Sequence, residues 1–175
     1  MQIKMSSIRI GDTSSLEKQR IVNTSAGCYL VRKAGDVIEL LIIKKTWPDG
    51  KVRYVLPKGH KEGDETLEKA AIRETKEESG YIDFKLLRYI GSSTYELDWS
   101  EIQMKTDHYF LAVLKSDKRI EREPEEYEED VIVENVWEEV DEALTYLKYE
   151  NYKEITDLLR GYIKEELIEK TENQR

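Results

Sequence analysis

Cys28 is the only cysteine in this 175-residue chain. A lone cysteine excludes an intramolecular disulfide and a cysteine-based zinc cluster, and it fits a reducing, cytoplasmic setting. Long apolar runs are missing as well. No stretch approaches the roughly 18 apolar residues of a membrane span, and the opening MQIKMSSIRIGDTSSLEKQR lacks the apolar centre of a secretory leader. The expectation is an unexported protein with no membrane partner. Positive charge is in deficit, with 28 Lys+Arg against 37 Asp+Glu, a net charge of −9 and a sequence pI near 5.0. That balance argues against duplex nucleic acid or anionic lipid held by bulk attraction, while leaving room for a small basic pocket. Internal repeats and Gly/Ser/Pro-rich linkers are also absent. Residues 19–175 therefore read as one domain that includes a long C-terminal helix, preceded by a loosely held lead-in over residues 1–18.

What is present suffices for a core, since 39% of the residues are hydrophobic. The runs IVNTSAGCYLVRK (21–33) and DVIELLIIKK (36–45) are β-branched and apolar, and the AGD between them marks a hairpin. The second run is apolar on both faces, as a central strand requires. KVRYVLP (51–57) is a short strand ended by Pro57. A helix follows over ETLEKAAIRETKEES, with Asp64 or Thr66 as its N-cap and Gly80 just past its end. Residues 81–97 and 102–114 read as two antiparallel strands, 131–137 as another, and the remainder as a short and a long amphipathic helix. Strands and helices mix without a steady βαβ rhythm, so the expected fold is α/β, with a mixed sheet and helices on both faces.

The helix between Gly59 and Gly80 carries the chemistry. At about 100° per residue, with Leu67 at zero, Ala70, Ala71 and Thr75 fall at roughly 300°, 40° and 80°. Glu74, Glu78 and Glu77 fall at roughly 340°, 20° and 280°, on the same arc. A solvated charged face is the usual explanation of a glutamate run, but here the opposite side already belongs to Glu65, Lys69 and Lys76. Glu74 and Glu78 are also a like-charged i,i+4 pair, which costs more as it is buried. Something must offset that repulsion, and carboxylates three and four residues apart converge as oxygen ligands for Mg²⁺.

Gly59, Glu65, Arg73, Glu74, Glu77, Glu78 and Gly80 match G-x5-E-x7-R-E-U-x-E-E-x-G-U, where U is usually aliphatic. The segment thus resembles the Nudix hydrolase box, with Thr75 and Tyr81 departing from the aliphatic preference. The resemblance implies a Nudix-type α/β/α sandwich and a hydrolase that cleaves a nucleoside diphosphate linked to another group. Its cofactor would be Mg²⁺, with Mn²⁺ as substitute, held by Glu74, Glu77 and Glu78 with help from the Gly59 carbonyl. Arg73 and Glu65 resemble the pair that pins the preceding loop to the helix. Attack would be in line, by water activated at the metal, with Glu77 or Glu78 as candidate base.

Around the box, LPKGH, RETKEE and KTDHYFLAVL are similar to the diadenosine tetraphosphate hydrolase branch. That resemblance implies Lys58, His60 and Lys105 beside the polyphosphate, and Tyr95 and Tyr109 as aromatic faces for adenine. Related enzymes supply a further glutamate six residues before a Trp or Phe, but counting back from Trp137 lands on Val131. Asp130 or Glu129 would serve if the strand carried a one-residue bulge. The other acids of that loop, Glu121, Glu123, Glu125, Glu126 and Glu128, read as a solvated run. Nucleoside triphosphates, nucleotide sugars and ADP-ribose are alternative substrates, and a non-catalytic ligand-sensing or protein-binding module is the alternative class. Monomer and homodimer are both compatible with the sequence.

Overall fold

A computed structural model describes residues 21–98, 102–122, 124, 128–147 and 153–169. The lead-in over residues 1–18, with Glu123, Glu125 and Glu126, lies outside the described residues. The AGD hairpin forms as its composition requires. Strand β1 (Ile21–Ala34) turns through Gly35, whose φ is 63°, into β2 (Val37–Thr46). Beyond this turn the two strands diverge. Only Val31–Ala34 of β1 pair with β2, while Ile21–Val31 run parallel to β6 (Ile102–Leu114). The other edge of β1 takes β4 (Lys58–His60), and β2 takes β3 (Val52–Val55) and β7 (Ile132–Glu139). β5 (Phe84–Asp98) pairs antiparallel with β6, closing the order β3-β2-β1-β6-β5, with β4 on β1 and β7 on β2.

The alternation of each strand sorts its side chains into two cores. Ala26, Cys28 and Leu30 of β1, Leu41 of β2, and Phe110 and Ala112 of β6 pack with Ala70 and Ala71 of helix α1 (Leu67–Ser79). The intervening Tyr29, Val31, Leu40, Ile42, Tyr109 and Leu111 pack with Ala143 and Leu144 of α2 (Val140–Tyr146) and with Ile155, Leu159 and Ile163 of α3 (Lys153–Ile163). The sheet is mixed and covered by helices on both sides, the expected α/β/α sandwich. The C-terminal helix continues past α3 as a π-helical stretch, Lys164–Glu169. Among the described residues, no helix is long and apolar enough to cross a membrane.

Small residues let α1 lie close to the sheet: the Cys28 thiol is 3.8 Å from the Ala71 carbonyl, and burial pushes its pKa up to about 12. Of the two N-cap candidates, Thr66 serves; its hydroxyl accepts from the Lys69 N–H at 3.3 Å. Tyr81, a departure from the aliphatic pattern, is fully buried and explains itself through its hydroxyl. That oxygen accepts from Trp137 Nε1 at 2.8 Å and from Arg119, whose guanidinium lies 4.3 Å over the ring. Lys58–His60 form a strand, because the Gly27 position of β1 admits them: a Cβ there would meet Lys58 Cβ at 2.3 Å.

Gly80 closes α1 with φ 76° and donates its N–H to the Lys76 carbonyl at 2.8 Å. A Cβ would come within 2.7 Å of the Ile120 carbonyl oxygen, backbone that cannot turn aside. Gly80→Ala is expected to lower the unfolding free energy by about 2 kcal/mol, from the left-handed φ and the clash together. Urea unfolding checks this, and an unchanged midpoint would refute the tight closure.

Candidate active site

Glu74 and Glu78 project from the sheet-facing side of α1 and are 7% and 6% exposed, whereas the Glu77 side chain is 55% exposed. Arg73 lies at the centre of the outer carboxylates. Its NH2 donates to Glu65 Oε1 at 2.7 Å and to the His60 carbonyl at 2.8 Å. Its NH1 lies between Glu74 Oε1 at 2.8 Å and Glu77 Oε2 at 2.9 Å. Glu65 also accepts from the Glu62 N–H at 2.8 Å, so the pair ties the loop to the helix as the box pattern implies. These contacts, the Arg73 hydrogen bond first, hold the Glu65 carboxyl below its usual range and raise the Arg73 pKa. Burial lifts Glu74 to about 7, with Glu77 and Glu78 adding to the rise and Arg73 opposing it. Gly59 faces the same carboxylate. A Cβ there would stand 2.1 Å from Glu74 Oε2, so a side chain at this position would displace that carboxylate.

The deeper half of the site was not legible in the acidic loop. Glu128, read as one of a solvated run, has a fully buried side chain and binds Lys45 Nζ at 2.7 Å and Arg122 NH2 at 2.6 Å. Glu78 Oε2 lies 3.5 Å from each of the same two nitrogens. Glu129 and Asp130, the acids expected from the tryptophan spacing, are exposed on the turn. The bulge that would have turned one of them inward is absent, since β7 pairs with β2 in unbroken register from Ile132 to Glu139. A signal was nevertheless present. Lys45 continues the inward-facing series Leu41, Ile43, Lys45 in a central strand, and a buried lysine requires an acid partner.

The three box glutamates do not converge on one point, and among the described residues no three His, Cys, Asp or Glu side chains are gathered for a metal. With Glu128 they form two pairs instead, Glu74 with Glu77 around Arg73, and Glu78 with Glu128 around Lys45 and Arg122. The donor set still fits Mg²⁺. All four donors are hard carboxylates, and the outer pair already brackets a cationic nitrogen beside solvent.

The residues expected near the polyphosphate gather on the opposite face of the sheet. Lys58 Nζ and the Tyr95 hydroxyl reach Asp107 Oδ2 at 2.7 and 3.0 Å, and Lys105 Nζ is 3.7 Å from Oδ1. Burial opposes ionisation of Asp107, but the charges of Lys58 and Lys105 and the hydrogen bonds from Lys58 and Tyr95 outweigh it. Its carboxyl is held below the usual 3.8. Lys58 and Gly59 are successive residues of β4, so the strand turns the Lys58 side chain to the cation cluster and the bare Cα of Gly59 to the carboxylates. His60 is exposed at the end of that strand. Tyr109 requires correction as an adenine platform: it is fully buried, 5.6 Å from the Tyr29 ring centroid, with its hydroxyl 3.3 Å from Ser93 Oγ. Its alternation with Leu111 and Val113 puts it in the core. His108 Nδ1 lies 3.0 Å from the Tyr89 hydroxyl. Trp47 lines an open cavity of about 720 Å³ with Tyr54 and Tyr146, whose ring centroids are 4.8 Å apart.

The NUDIX domain family matches residues 22–159. A Caenorhabditis elegans protein named bis(5'-nucleosyl)-tetraphosphatase (asymmetrical) is 30% identical over 146 residues, which cover 81% of this chain and 95% of that one. A Nudix-named protein of the same organism is 35% identical over 78 residues, but these make up 42% of this chain and 21% of that protein, so the match spans about a fifth of it. The crystal structure of a C. elegans Ap4A hydrolase binary complex gives a TM-score of 0.57 at 25% identity, covering 80% of this chain and 94% of that one. A MutT protein from Methanosarcina mazei Go1 gives 0.58 at 19% identity, over 85% and 99%, and supports the fold alone.

Asp107→Asn is expected to cost about 2 kcal/mol at neutral pH, because it leaves Lys58 without its buried counter-charge. A carboxyl depressed by folding stabilises fully above its unfolded pKa, and that contribution is lost as pH falls through the lower folded value. The gap between wild type and variant should therefore close below the ordinary value of 3.8. Urea unfolding between neutral and strongly acid pH checks this. A gap that persists through the acid range would mean that Asp107 does not act through its charge.

Proposed function

This chain belongs to the Nudix family, and we propose that it is a phosphoanhydride hydrolase acting on dinucleoside polyphosphates such as diadenosine tetraphosphate, which it splits to ATP and AMP. The observation that carries this reading is β4, which joins the carboxylate helix to a Lys58–Asp107–Lys105–Tyr95 cluster suited to a polyphosphate chain. The name of the C. elegans protein and the C. elegans crystal structure, each covered over more than nine-tenths of its own length, support the same substrate class.

Glu74, Glu77 and Glu78 would hold Mg²⁺, which supplies charge stabilisation to the reacting phosphate oxygens when bound. In the reaction a water oxygen forms a bond to phosphorus while the bridging P–O bond breaks, its electron pair leaving with one phosphate. A carboxylate of the site takes the proton from the water. Lys58 and Lys105 neutralise phosphate charge away from the reacting centre, and Asp107 holds both ammonium groups in place until substrate arrives. The Tyr95 hydroxyl helps fix that carboxylate, which leaves its half-buried ring edge as the remaining aromatic contact for a base.

Product analysis with Mg²⁺ tests the reading, using diadenosine tetraphosphate beside nucleoside triphosphates, ADP-ribose and nucleotide sugars. ATP plus AMP is the expected outcome. Turnover of another compound alone would replace the substrate, and turnover of none would favour a ligand-binding module. Glu77→Gln, at an exposed position, should cut kcat about 100-fold or more while leaving thermal unfolding unchanged. Lys105→Ala should raise KM about tenfold with little change in kcat, as expected for a uniform phosphate contact. A loss confined to kcat would instead place Lys105 at the reacting phosphate.

A further inference from the structure

We propose that Asp107 is a specificity-determining residue that sets the length of phosphate chain the site accepts, by pinning Lys58 and Lys105 apart on its two carboxylate oxygens. The inference rests on the proposed hydrolase reading, which places the polyphosphate at these lysines. It narrows the substrate class to chains long enough to span both ammonium groups and still reach the carboxylate helix.

The backbone of Asp107 is fixed in β6 between Ser25 of β1 and Ser93 of β5. Its side chain is 2% exposed, and its carboxyl, held below the usual 3.8, is charged at neutral pH. The two lysines approach from different strands and onto different atoms. Lys58 arrives from β4, in the space left by Gly27, and donates from Nζ to Oδ2 at 2.7 Å. Tyr95 donates to the same oxygen at 3.0 Å. Lys105 lies two residues before Asp107, on the same face of β6, with its Nζ 3.7 Å from Oδ1. The Lys58 and Lys105 side chains keep 13% and 18% of their surface in solvent, whereas the carboxylate between them is enclosed.

A carboxylate shared by two ammonium groups acts in two ways. It holds them at one spacing before substrate binds, which spares a bridging chain the cost of ordering them. It also keeps a single phosphate from taking both nitrogens, because that phosphate would sit against a fixed negative charge. A chain that places separate phosphates on Lys58 and on Lys105 gains from both contacts at once. Gly59, the next residue after Lys58, faces Glu74, so the same chain continues toward the carboxylates. Substrates of the diphosphate type, such as ADP-ribose and nucleotide sugars, spend both phosphates at the scissile bond and have none left to bridge the lysines.

Calorimetric titration of the full chain with pyrophosphate, tripolyphosphate and tetrapolyphosphate, at fixed ionic strength and with a chelator present, tests the ruler apart from any metal. Wild type should bind tetrapolyphosphate at least about tenfold more tightly than pyrophosphate. Asp107→Asn releases the two ammonium groups to converge on one phosphate, so pyrophosphate should gain about tenfold and tetrapolyphosphate much less. Removal of a negative charge acting only through bulk attraction would do the opposite, favouring the most highly charged chain. That opposite pattern, or an unchanged length preference, would overturn the proposal. Thermal unfolding confirms that the variant is folded. Should it not fold, Lys105→Ala decides: tetrapolyphosphate should lose at least about tenfold, while pyrophosphate, which either lysine holds alone, should lose no more than about twofold. An equal loss at every length would overturn the proposal as well. Wild type that shows no length preference yet splits diadenosine tetraphosphate would discard this inference and keep the functional reading. A length-selective chain that hydrolyses none of the tested compounds would do the reverse.

Discussion

Carboxylates on the buried side of a helix repel each other in a medium that screens them poorly, and the architecture around α1 is organised by that repulsion. Glu74 and Glu78 stand one turn apart and both are nearly inaccessible. Arg73 neutralises the outer side and, by binding Glu65 and the His60 carbonyl, also fixes the loop that leads into the helix. Lys45 and Arg122 neutralise the inner side and, by holding Glu128, fix the path of the chain between β6 and β7. Charge compensation and loop geometry are therefore one set of contacts. Loss of either arginine would disturb both.

Close backbone approach is the second constraint. The short strand β4 sits between Gly27 of β1, which leaves room for Lys58, and Glu74 of α1, for which Gly59 leaves room. Side chains at either glycine would push β4 off the sheet or the carboxylate off its seat. Because strand residues alternate, Lys58 turns to Asp107 on one face as Gly59 turns to Glu74 on the other. The proposed polyphosphate, spanning the edge at β4, would meet lysines on one side and the box glutamates on the other. The aromatic contribution is smaller than the sequence suggested, since Tyr109 is spent on the core.

Much of this was readable along the chain. The hairpin at Gly35, the Thr66 and Gly80 ends of α1 and the inward position of Glu74 and Glu78 follow from turn chemistry, capping and a 3.6-residue period, all of which are local. The box pattern identified Arg73 and Glu65 as a structural pair, and their geometry agrees. Parallel pairing of β1 with β6 was not readable, because it joins strands far apart in sequence and leaves no local mark. Assignment of Glu128 failed for a related reason. Counting back from Trp137 assumes a fixed path, whereas the straight register of β7 and the turn before it put a different acid inside.

The sequence by itself determined where the charges lie along the chain: three glutamates on the apolar arc of one helix, an arginine and a glutamate beside them, and Lys58 and Lys105 on either side of that helix in sequence. Tertiary structure alone decided how those charges are shared. Whether a carboxylate meets a metal, an arginine or a lysine depends on what long-range strand pairing brings within about 3 Å, where a charge-assisted hydrogen bond forms. Periodicity defines the face of an element, but the partner across that face is chosen by packing between distant segments. The pairing of Lys45 with Glu128, and of Lys58 with Asp107, belongs to that second kind of information.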